Sequence, residues 1–74
     1  MILYHRIDDP DSADVRRRVV DLGLKRRVDF QNVDTDGAEA FAAHGGRRVP
    51  AVWDGARLHE GKSAVLALLE TLPR

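Results

Sequence analysis

No cysteine occurs among the 74 residues, which removes disulfide, thiolate and iron–sulfur chemistry from this chain. Aromatic residues are few, two Phe, one Tyr and one Trp, so the core must come from Val, Leu, Ile and Ala with Phe30, Phe41 and Trp53. Neither charge is in excess: twelve Lys and Arg balance twelve Asp and Glu, and no global field draws nucleic acid, an anionic membrane or an acidic partner. No apolar run approaches the roughly 20 residues of a membrane span, and the start of the chain lacks the basic, apolar and small-residue sequence of a signal peptide. The expected location is cytoplasmic, with no membrane contact. His5, His44 and His59 lack the i,i+4 or Cys/His spacing of a metal site and read as ordinary polar residues.

What is present is enough for one small domain, residues 1–74, near the size at which a single core holds without staples. The stretch from Ile2 to Gly23 organises it. Ile2-Leu3-Tyr4 is apolar on consecutive positions, as a central strand covered on both faces is, and Tyr4 is expected to bury its ring with the hydroxyl near an edge. A tight loop follows, and then a helix whose start carries three signals. Asp9 is a favoured N-cap, Pro10 fits the first helical position, and Asp11 sets negative charge at the positive end of the dipole. Val15, Val19 and Leu22, widened by Ala13 and Val20, give that helix its apolar stripe, and Gly23 supplies a left-handed stop.

The remaining elements follow in order. Leu24 to Arg27 connects to a second strand over Val28–Val33, with Val28 and Phe30 on one face. Asp36 and Glu39 have capping-box spacing before a short helix from Ala38 to His44, anchored by Phe41 and closed by Gly45-Gly46. Arg47–Trp53 reads as a third strand, Asp54-Gly55 as a type I′ hairpin turn, and Ala56–His59 as the returning strand. Pro50 must then stand where a ladder needs no N–H. Gly61-Lys62-Ser63 opens a last helix, with Ser63 a candidate N-cap and Val65, Leu66, Leu69 and Leu72 its apolar face. The arginines at 16–18 and the basic run at 25–27 complement the C-terminal end of the first helix dipole, a solvated face in preference to a nucleic-acid patch. The expected fold class is α/β, β-α-β-α-β-β-α, a four-stranded mixed sheet of order 2-1-3-4 with three helices.

Two segments carry a family resemblance. Asp9-Pro10-Asp11-Ser12 stands where glutaredoxins place Cys-Pro-x-Cys, with Arg6 at a position often basic in that family. The longer stretch Asp9 to Arg16 is similar to the Ser-Pro-x-Ser-x-x-Val-Arg of glutathione transferase N-terminal domains. Arg48-Val49-Pro50 resembles the Thr-Val-Pro of glutaredoxins, and Val49 to Gly55 resembles the Val-Pro-x-Leu-x-Asp-Gly of the transferases. The resemblance covers nearly the whole chain and implies a minimal thioredoxin fold, a cis bond before Pro50, and a ligand groove formed by Arg6, Asp9, Ser12, Val49, Pro50 and Ser63. In both families the backbone before the proline pairs with the main chain of glutathione.

The chemistry departs from the family. Thiol–disulfide exchange needs a sulfur nucleophile, and Asp9 and Ser12 occupy both positions. A hydrolytic role for Ser12 lacks an adjacent base in sequence. The expectation is a non-enzymatic module without a cofactor, binding a protein partner or a small thiol or peptide ligand. The alternative is a glutathione-binding, transferase-like protein in which the Ser12 or Tyr4 hydroxyl activates the thiol, within a larger assembly. Against it stand the Asp9 carboxylate, which disfavours a developing thiolate, and the missing helical second domain.

Overall fold

Residues Ile2–His5 form the strand on which the sheet is built, with Leu3, Tyr4 and His5 buried. In the computed structural model, which describes residues 1–73, this strand, β1, pairs in parallel with β2 (Asp29–Asn32) and antiparallel with β3 (Ala51–Trp53). The latter pairs antiparallel with β4 (Leu58–Glu60). The sheet order is β2-β1-β3-β4, and helices α1 (Pro10–Asp21), α2 (Ala38–Ala43) and α3 (Lys62–Thr71) complete the expected architecture.

Register divides the apolar residues between two faces. Leu3 is paired with Phe30 and with Val52, which sets all three on one side. There they meet Val15 and Val19 of α1 and Val65 and Leu69 of α3 in the larger core cluster. Tyr4, paired with Ala51, points to the other side, where the smaller cluster includes Val33 and Phe41. Among the described residues α2 is the helix on that side, through Ala40 and Phe41, and it has no buried residue.

The first helix forms as its sequence signals require. Asp9 lies in extended backbone, and its Oδ2 accepts from the Ser12 amide at 2.8 Å. At the other end Gly23 takes φ +69, the Leu24 amide reaches the Val19 carbonyl and the Gly23 amide the Val20 carbonyl. This is a Schellman closure, and it drives Leu24 into the core at full burial. Val20 does not widen the stripe: it is 55% exposed.

Five local expectations change, three of them because carboxylates claim amides that a ladder or a helix start would use. The third strand begins at Ala51 and not at Arg47, since Oε1 of Glu60 accepts from the amides of Arg47 and Arg48 at 2.7 and 2.9 Å and Pro50 has no N–H. The fourth begins at Leu58 because Oδ1 of Asp54 takes the amides of Ala56 and Arg57. Among the described residues none except glycine has positive φ, so Asp54-Gly55 is not the centre of a type I′ turn; Gly55, at φ +101, bends the chain. Asp36 does not cap α2: its Oδ1 accepts from the Asn32 amide, and Gly37 stands at the N-cap without a side-chain bond. The second strand is likewise trimmed to Asp29–Asn32.

Candidate functional site

The loop between β1 and α1 is closed by its own side chains. Ser12 is fully buried, and its Oγ accepts from the Arg6 amide at 3.2 Å while its own amide goes to Asp9. The Arg6 guanidinium reaches across to Asp34, 3.2 Å away. Arg16 binds the loop from beneath: one terminal nitrogen lies 2.9 Å from His5 Nδ1 and donates to the Arg6 carbonyl at 3.1 Å, and the other donates to the Ile7 carbonyl. A guanidinium has no acceptor, so His5 Nδ1 must accept and its proton sits on Nε2. Burial, then the Arg16 charge, hold the His5 pKa below its ordinary value, with Asp36 opposing.

Tyr4 is not near an edge. It is fully buried, its ring tilted against Phe41 at 5.3 Å between centroids, and its hydroxyl has no hydrogen-bond partner among the described residues. Burial raises its pKa. Neither hydroxyl that the transferase-like alternative requires therefore opens to a ligand in this structure.

A cleft of about 530 Å³ lies beside the loop, between the start of α1, the segment before β3 and the entry to α3. Asp11, Arg48, Val49, Glu60, Lys62 and Ser63 supply its side chains. Val49 precedes a cis bond to Pro50, as the family resemblance implies. Pro50 is fully buried behind the cleft, and its carbonyl accepts from the Gly61 amide at 2.8 Å, tying the two walls together. Among the described residues neither the amide nor the carbonyl of Val49 is hydrogen-bonded. An unpaired, half-buried backbone of this kind has two directional groups to offer an extended ligand.

Charge in the cleft is mostly committed. Lys62 Nζ sits 2.7 Å from Asp14 and 4.0 Å from Asp11. The hydrogen bond, then the charge, of Asp14 raise the Lys62 pKa, and the same pair lowers that of Asp14. Glu60 is occupied by the amides of residues 47 and 48. The Arg48 guanidinium has no ion pair or hydrogen bond among the described residues, and it remains the cation free to meet a carboxylate.

Of the six residues read from sequence, Val49, Pro50 and Ser63 come together at this cleft, Val49 and Ser63 in its lining. Arg6, Asp9 and Ser12 do not; they hold the adjoining loop. Ser63 is not an N-cap, since Gly61 takes that position and Ser63 is an exposed residue inside α3. Sequence reading missed Arg48, Glu60 and Lys62 as site residues. Their roles depend on partners 12 to 48 positions away, and no local spacing reveals that. No family model, no curated protein and no solved structure matches this chain.

Proposed function

We propose that this chain is a cysteine-less, glutaredoxin-like module of the thioredoxin fold that binds an extended peptide segment or a small thiol peptide and performs no redox chemistry. The observation that carries this reading is the unpaired Val49 backbone, set in a cleft with one uncommitted cation, Arg48. Backbone groups give affinity to any extended chain, and the guanidinium adds preference for a carboxylate. Glutathione is a small ligand with both features. Its thiol has no role here, because the Ser12 and Tyr4 hydroxyls are buried and the Asp9 carboxylate is engaged at the helix start.

An NMR titration with reduced glutathione and with S-methylglutathione tests this. Both ligands are expected to move the amides of Val49, Gly61 and Ser63, with affinities within about threefold of each other, a difference below 1 kcal/mol. Arg48→Ala is expected to weaken both equally. Binding of the thiol form alone would favour a transferase-like site, and silence from both at millimolar concentration would overturn the reading. In a glutathione-coupled disulfide reduction assay the expected rate equals the uncatalysed one.

A further inference from the structure

The free edge of β4 and the outer face of α3 lie side by side. Two hydrogen bonds fix which backbone groups that edge presents: the Gly61 amide donates to the Pro50 carbonyl and the Asp54 amide to the Arg57 carbonyl. In an antiparallel pair, residues that exchange hydrogen bonds alternate with residues that do not. With Val52 opposite His59, the pairs 50/61, 52/59 and 54/57 use the inner groups. Leu58 and Glu60 therefore turn their N–H and C=O outward, and among the described residues none of these four groups is bonded.

The helix beside that edge is uncharged where it faces out. Lys62 and Glu70 tie one side of α3 to α1 through Asp14 and Arg18. On the other side Ala64, Ala67, Leu68 and Thr71 follow the i, i+3, i+4, i+7 spacing of a single face. They form a groove of about 390 Å³ with Arg57 and His59 of the hairpin. The opposite sheet edge differs. There β2 carries Asp29, exposed, with its carboxylate accepting from Gln31, whereas the carboxylate of β4, Glu60, is held by the amides of Arg47 and Arg48.

We propose that β4 and α3 form the interface of a homodimer, in which β4 pairs antiparallel with the same strand of a second copy about a two-fold axis at His59. That axis sets Leu58 opposite Glu60 of the second copy and Glu60 opposite its Leu58, so all four outward groups of each strand find partners. The match is isologous: one patch serves both subunits. Backbone pairing over three residues is too small an interface alone, since a specific one buries roughly 1,000 Å² or more in total. The α3 face adds to it, because its alanines let the two helices approach closely, and Arg57, the cation beside them in the groove, is exposed and keeps its guanidinium in water. A formal net charge of +0 leaves no overall repulsion between copies. These features favour a second copy over a foreign peptide, for which the edge would need only its backbone.

Sedimentation velocity of the full chain, from about 10 µM to about 1 mM, spans the affinities of weak dimers. The mass is expected to rise from 8.3 kDa toward twice that value. Leu58→Pro removes only an outward N–H, and Ala67→Glu places a charge on the helix face without touching the cleft at Val49. Each is expected to weaken association at least tenfold, while Ala43→Glu on α2 leaves it unchanged. Amide exchange at Leu58 and Glu60 should slow as concentration rises. If Leu58→Pro does not fold, Ala67→Glu and the exchange data decide. A constant 8.3 kDa across the range, association that survives Ala67→Glu, or concentration-dependent protection that omits Leu58 and Glu60 would overturn the proposal, whatever the glutathione titration gives.

Discussion

At the scale of single residues, polar side chains that look like ligands in sequence serve the backbone in the fold. Asp9 is the clearest instance: it accepts from the Ser12 amide and meets the positive end of α1. Asp9→Ala is expected to cost about 0.5–2 kcal/mol in urea unfolding, and Asp9→Asn much less, because an amide oxygen still caps. His5 makes a pH-dependent contribution. Its folded pKa is depressed, so the unfolded state binds more protons, and stability falls as pH drops through the ordinary value of 6.5. Thermal melts between pH 7.5 and 5.5 should show this fall, and His5→Gln, which cannot titrate, should flatten it. Asp54 acts further down the scale. The hydrogen bond from His59, then the amides of Arg57 and Ala56, hold its carboxyl well below the usual carboxylate range. The hairpin should therefore loosen only as pH falls below 3.8.

At the scale of elements, α1 owes its definition to its ends. The Schellman closure needs Gly23 in the left-handed region, with open space around its missing Cβ. Gly23→Ala is expected to cost roughly 1 kcal/mol from backbone strain alone, and Gly23→Asn less, measurable as a shift of the urea midpoint at unchanged slope. The order of elements and their types were legible in sequence because periodicity, caps and glycine stops act within a few residues of one another. The exact strand ends were not. Glu60 takes amides twelve and thirteen positions before it, and Asp54 takes those two and three positions after it. Such a carboxylate looks in sequence like any exposed acid. Of the six candidate site residues, Val49, Pro50 and Ser63 stand together at the cleft, while Arg6, Asp9 and Ser12 are drawn into the loop by hydrogen bonds that close within the loop or across to Asp34. Leu24 was read as a connector because its burial follows from the closure of α1 and not from its neighbours.

At the scale of the whole molecule, the sheet divides two unequal cores. Leu3 lies in the larger one, fully buried between α1 and α3, and Leu3→Ala is expected to cost about 2–5 kcal/mol. A small domain holds only about 5–15 kcal/mol in total, so this variant should lose most of its far-UV signal near body temperature. The smaller core behaves differently, since α2 has no buried residue and rests on Phe41 and on the stack of His44 over Trp53, 3.7 Å between ring centroids. Trp53 is the single tryptophan. Its emission is therefore an optical gauge of one contact, the seat of α2 on the sheet. Fluorescence should shift to the red at a lower urea concentration than that at which circular dichroism collapses, and the gap between the two curves would measure how far this half of the molecule opens while the rest stays folded.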